Sequence, residues 1–120
     1  KWFKAAGDQG YADAQFNAGV IFSKGLTGTQ IPQAASLWYL KAAKQGHVQA
    51  QFNLGLLEAG DERSSGNLIS AHMWFNIAAA NGLSDAEINR DSLNQYMNAS
   101  DVAEAQMRAT QCVKTGYLDC

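Results

Sequence analysis

"QGHVQAQFNLG", residues 45–55, nearly repeats "QGYADAQFNAG", residues 9–19. Shifted against itself by 36 positions, the chain places Trp2, Trp38 and Trp74 in register. Ala6, Ala42 and Ala78 follow, then Gly10, Gly46 and Gly82, then Ala14, Ala50 and Ala86. Phe16, Phe52 and Ile88 align, as do Asn17, Asn53 and Asn89. Self-similarity at a fixed period of roughly 20–50 residues marks a repeat array, in which stacked units bury a core that one unit cannot. The registered residues are mostly Trp, Gly and Ala, which are not interchangeable surface polars.

Each period reads as two helices. In "PQAASLWYLKAAKQG", residues 32–46, Ala35, Trp38 and Ala42 recur at helical spacing, with Leu37 and Tyr39 as further candidates. Pro32 suits the first turn, where its missing N–H is unneeded. Gly46 suits the left-handed residue that ends one helix and turns into the next. The following helix, "HVQAQFNLGLLEAG" at 47–60, places Ala50, Leu54 and Leu57 on one face. Ala42 and Ala43 let paired helices approach, and Trp38 is expected to fill the larger gap between pairs. No stretch alternates as a strand does. The pattern predicts an all-α chain of about seven helices. The first is a stub over residues 1–9, the second helix of a preceding pair, so the chain reads as a fragment of a longer array.

"GLTGTQ" at 25–30 and "GDERSSGN" at 60–67 read as connectors; without a flanking strand neither is a phosphate loop. "SDAE" at 84–87 has the pattern of a capping box. "NASD" at 98–101 offers Asn98 as a helix cap, a bland account of its sequon-like spelling.

With 120 residues and 47% hydrophobic residues, the chain has material for one domain's core. A net charge of −2, with Lys and Arg scattered, lacks the basic face that nucleic acid requires. No apolar run approaches the roughly 18 residues of a membrane helix, so no membrane insertion is expected.

The phrase "ASLWYLKAAKQGHVQAQFNLGLL" at 35–57, with "AGVIFSKG" at 18–25, resembles the Sel1-like repeats, relatives of the tetratricopeptide repeats. The resemblance covers nearly the whole chain and implies a right-handed α/α superhelical solenoid of antiparallel helix pairs. Residues 1–97 would form the array and 98–120 a capping helix and tail. In the tail, Met97, Val102, Ala105 and either Met107 or Ala109 would cover the last open face. Two positions depart from the family pattern. Glu58 replaces an aromatic, suggesting a looser junction after the second unit. Asp91 replaces the glycine seen at Gly19 and Gly55, suggesting that the array ends there.

The resemblance also implies a non-catalytic scaffold whose concave face, lined by the first helix of each pair, holds a protein or peptide partner. By analogy with tetratricopeptide geometry, that face carries Asp13, Phe16, Val20 and Ser23, then Gln49, Phe52, Leu56 and Ala59, then Asp85 and Ile88. The alternative places Phe16, Phe52 and Ile88 between neighbouring helices as core. A rival function is a binder of wall fragments, or a weak β-lactam hydrolase, like the cysteine-rich Sel1-like proteins. Those carry a cysteine pair in each repeat, and this chain has none there.

Cys112 and Cys120 are the only cysteines. They read either as a bridge pinning the tail, which implies an oxidising compartment, or as free cytosolic thiols. The bridge favours a periplasmic or secreted protein over a cytoplasmic one. Two cysteines without a nearby histidine make a poor zinc site. His47 reads as a surface or packing residue at a helix entrance, and His72 lacks a carboxylate at ligand spacing. The carboxylate pairs Asp61/Glu62 and Asp101/Glu104 sit in a connector and at a helix start, not in a cleft. No metal, cofactor or catalytic residue is called for, and a monomer is expected.

Overall fold

The structure, a computed structural model, describes residues 2–25, 32–60 and 65–120, with side chains from residue 10 and, after each gap, from residues 33 and 67. The helices are α1 (Trp2–Lys24), α2 (Pro32–Ala43), α3 (Val48–Ala59), α4 (Ser65–Ala80), α5 (Ser84–Leu93) and α6 (Ala99–Lys114). A 3₁₀ turn, Asn94–Tyr96, follows α5, and the described residues contain no strand. The chain is all-α, as its period predicts. Most of the first expected connector lies outside the described residues. The second is shorter than expected, because α4 already begins at Ser65.

Backbone hydrogen bonds explain why the helices stop where they do. Gly46 N–H donates to the Ala43 carbonyl at 3.0 Å and His47 N–H to Ala42 at 3.2 Å. The same pair of bonds recurs as Gly82 to Ala79 with Leu83 to Ala78, and as Gly116 to Val113 with Tyr117 to Cys112. These are Schellman motifs, which satisfy the last carbonyls of a helix through a left-handed residue. Gly46 and Gly82 have φ of 84° and 104°, which only glycine adopts readily.

The third registered glycine behaves differently. Gly10 lies inside α1, which runs unbroken for 23 residues, so the expected stub and turn are absent and the described residues form six α-helices where seven were expected. Continuing the helix keeps every i→i−4 bond, whereas turning surrenders several unless both helices then bury apolar faces. Ala14 shows the consequence. Ala50 and Ala86 are fully buried where a preceding helix crosses them, but Ala14 is exposed, and Tyr11 is 63% exposed. The side chain of Trp2 lies outside the described residues.

Helices pack in chain order: α1 on α2, α2 on α3, α3 on α4, and α4 on both α5 and α6. With three neighbours α4 is mostly enclosed, and apolar residues occupy most of its circumference. Leu68, Ala71, Met73, Trp74, Phe75, Ile77 and Ala78 are all buried. Within each of the first two pairs one close contact sets the spacing. A Cβ added to Gly19 would stand 2.5 Å from the Tyr39 ring, and one on Gly55 would stand 2.6 Å from the Phe75 ring. Tyr39 and Phe75 fill these within-pair spaces. Trp38 is half-buried, with the Lys41 ammonium 4.5 Å above its ring.

One further expectation is corrected locally, and the choice between Met107 and Ala109 is decided for Ala109. Leu83, not a side chain of the 84–87 box, is the N-cap of α5, and no side-chain capping bond forms there because Ser84 already lies inside the helix. Met107 is 65% exposed; α6 instead buries Ala105, Ala109 and Cys112, while Met97 and Val102 are half-buried. Asn98 does cap α6, accepting from Asp101 N–H at 2.8 Å.

Candidate functional site: the groove between α1 and α3

Because α2 sits between α1 and α3 on one side, the two first-helices of the array leave an open groove of about 520 Å³ between them. Its floor is apolar: Phe16 and Val20 from α1, Tyr39 from α2, Leu56 and Leu57 from α3. Asn17, Ser23, Lys24 and Asn53 form its polar rim. Asn17 and Asn53 occupy the same position of successive repeats, so the groove presents one amide per unit. Gln49 donates to the Asn53 side-chain oxygen at 3.0 Å and orients that amide.

His47 stands against the groove-lining Phe16. Its Nδ1 accepts from Ala50 N–H at 3.1 Å, which makes it the N-cap of α3 and leaves the proton on Nε2. That Nε2–H then donates to Asp13 Oδ1 at 2.9 Å. The imidazole also stacks on Phe16, with ring centroids 4.7 Å apart and planes 19° from parallel. A residue read as plain surface or packing therefore ties α1, α3 and a groove-lining ring together.

The expected concave-face residues divide clearly. Phe16, Val20, Ser23 and Leu56 line the groove. Asp13 and Gln49 stand beside it, through His47 and Asn53. Phe52 turns away, its ring 5.8 Å from Phe75 at 49°, and packs into the α3–α4 core together with Ala59. Asp85 is exposed outside the groove, as is Ile88 at 67%. Sequence reasoning missed Asn17, Lys24, Tyr39, Asn53 and Leu57. The 36-residue register of the asparagines was visible, but not the side of the helix they occupy.

Two ionisable groups elsewhere are perturbed by burial. His72 on α4 is 1% exposed; Nε2 meets Asn94 Oδ1 at 3.1 Å and Nδ1 has no partner. Desolvation holds its pKa below the usual 6.5, with the Asn94 bond opposing and nearby Arg90 and Asp91 acting in opposite directions. Glu58 is half-buried on α3 with Oε2 unpartnered, and burial raises its pKa against a lowering hydrogen bond from Ser70. Neither lies in the groove lining.

Cys112 and Cys120 are joined in a disulfide, their Cα atoms 4.5 Å apart. Among the described residues no three His, Cys, Asp or Glu side chains converge as metal ligands. Also among them, no helix is long and apolar enough to cross a membrane.

The family model for the Sel1 repeat matches residues 1–11, 12–47 and 48–83. No curated protein matches the chain. The first two boundaries between matched units differ in the structure, since position 11 lies within α1 whereas position 47 follows the Gly46 turn. Over the matched residues, the recurring turn glycines and the Gly19–Tyr39 and Gly55–Phe75 contacts supply the physical content of the repeat, and the chain belongs to the Sel1 repeat family.

Proposed function

We propose that this chain is a non-catalytic scaffold that holds an extended peptide segment of a protein partner in the α1–α3 groove. Sel1 repeats generally serve as protein-interaction scaffolds, which supports the class. The observation that carries the reading is the pairing of an apolar floor with one rim amide per repeat. An apolar side chain of the peptide seats on Phe16, Val20 and Leu56, while Asn17 and Asn53 each offer a donor and an acceptor to its main chain. Lys24 at the rim favours an acidic residue or a terminal carboxylate there. The protein acts as a monomer, with residues 1–97 as the array and 98–120 as its cap. The Cys112–Cys120 bridge supports a periplasmic or secreted location.

Peptides selected from a displayed random library against the wild-type chain test the proposal. Their affinity is then measured for Leu56→Glu and for Asn17→Ala with Asn53→Ala. Leu56 is 45% exposed and the asparagines are rim residues, so helical content and melting should stay at wild-type values. Each change is expected to weaken binding by about tenfold or more. Selected peptides that bind the folded variants as tightly as wild type place the docking face elsewhere.

A further inference from the structure

Among the described residues one side-chain-bearing residue, in the tail, has a left-handed backbone. Tyr117 has φ of 69°, a left-handed conformation that a tyrosine adopts reluctantly, directly after Gly116 at 66°. Three contacts hold it. Its N–H donates to the Cys112 carbonyl at 2.8 Å, its ring packs against the core beside Gly46, and its hydroxyl accepts from Asn81 Nδ2 at 3.2 Å. Asn81 also donates to Oε1 of Gln51, a fully buried side chain whose amide in turn donates to the Ala43 carbonyl at 3.1 Å. Tyr117 thus ends a polar chain that joins the α2–α3 turn, the α4–α5 turn and the tail. Gln45 donates to the buried Gln15 in the preceding repeat, so the amide pair recurs in two successive units. The phenol is an addition made only by the tail.

The disulfide brackets this contact. Cys112, fully buried on α6, and Cys120, exposed at the end, close a ring around Tyr117. Other bonds run along the same segment: Thr115 Oγ1 donates to the Cys112 carbonyl at 3.1 Å, Asp119 N–H donates to Thr115 Oγ1 at 3.0 Å, and Gln111, just before the ring, donates to Asp119 at 3.3 Å. We propose that the Cys112–Cys120 bridge is a redox-governed lock that, when closed, holds Tyr117 as a bolt across the Asn81 and Gly46 turns. A dithiol reductant opens it, leaving the helix array folded. Cys120, the exposed partner of the bridge, is the point of attack, beside a hollow that it lines with Arg108, Gln111 and Asp119. A thiolate of the dithiol bonds to Cys120 Sγ, the Cys112–Cys120 bond breaks, and Cys112 leaves with the electron pair and takes up a proton. The reductant's second thiol then displaces Cys120 and becomes half of its own disulfide. Two electrons and two protons have passed to the cysteines. Without the ring, the left-handed Tyr117 relaxes and Asn81 loses its phenol acceptor.

Amide hydrogen exchange on the oxidised chain, the chain in excess dithiothreitol, and the chain reoxidised afterwards tests this. Reduction is expected to speed exchange at the Tyr117 N–H by about tenfold or more and to raise it at the 81–83 turn, with α3 unchanged and full reversal on reoxidation. Cys120→Ser under oxidising conditions should reproduce the reduced pattern. Tyr117→Phe, which keeps the bridge, should loosen the 81–83 turn alone. Unchanged protection of Tyr117 after reduction overturns the lock, because the contact then needs no bridge. Loss of protection throughout α3 and α4 overturns it too, since the bridge would then be a staple of the whole fold. An unaffected 81–83 turn in Tyr117→Phe removes the bolt.

Discussion

The α3–α4 unit and its two flanks share one 36-residue register, yet only the middle unit has helices packed on it from both sides. In α3–α4, Gly55 meets the Phe75 ring, Ala50 lies under α2, and α4 is covered by three helices. In the last unit the two residues that would make that contact have both changed. Asp91 stands where Gly55 would, and Gln111 stands where Phe75 would, and both are exposed. The glycine and the aromatic are one device, a bare backbone and the ring laid on it, so losing either removes the reason for the other. α6 accordingly packs on α4, and Ile88 and Tyr96 beside it stay exposed. A repeat is therefore a set of paired positions, and the fold changes where a pair fails.

The strongest way to break this comparison is to add one methyl group. In Gly55→Ala the new Cβ stands 2.6 Å from a ring that is 1% exposed, so Phe75 must move within a packed core. Overpacking of this kind destabilises by about 1–3 kcal/mol or more, against the about 1 kcal/mol that alanine gains over glycine within a helix. A net loss of about 2 kcal/mol is expected in urea unfolding, and Gly19→Ala should follow it through Tyr39. Asp91→Ala, at the matching position of the last unit, is expected within about 0.5 kcal/mol of wild type. Equal effects at 55 and 91 would end the argument from paired positions.

A medium effect separates the covered helix from its open neighbour by pH. His72 is buried on α4 and bonded to Asn94 at the end of α5, and its folded pKa lies below 6.5. As pH falls through 6.5 the unfolded chain takes the proton first, so stability is held above that value and lost progressively below it. Glu58, with a raised pKa, acts in the opposite sense, losing stability as pH rises from 4.5 towards its folded value. Melting at about pH 7 and about pH 5 should show the wild type falling more than His72→Gln, while the Glu58 contribution is common to both. Parallel curves would mean that the site hydrates without consequence.

Much of this was legible in advance, and the failures have physical causes. The period, the left-handed glycines at 46 and 82, Pro32 at the start of α2 and the Asn98 cap follow from local chemistry, which the sequence carries directly. The groove was half legible: Phe16, Val20 and Leu56 line it, but Phe52 sits in the core. Equivalent positions diverge when their neighbours differ, and Phe52 has Phe75 to pack against where Phe16 has His47 as well as Tyr39. His47 and Tyr117 act through partners 34 and 36 residues away, and no pattern within a helix announces such contacts.

The smallest effect tests the other flank. Gly10, Gly46 and Gly82 share one register, but Gly10 continues a helix and its Cβ position has nothing within 4 Å. Glycine there has only the drawback of a floppy helical residue, so Gly10→Ala should stabilise by about 0.5–1 kcal/mol. Gly46→Ala and Gly82→Ala must place a side chain at positive φ and should destabilise instead. Opposite signs at positions the repeat treats as equal would show that the turn is made by the helices packed on either side of it, with glycine only permitting it. A loss of stability at Gly10 would mean that position 10 turns in solution as its two counterparts do, and that Ala14 is covered after all.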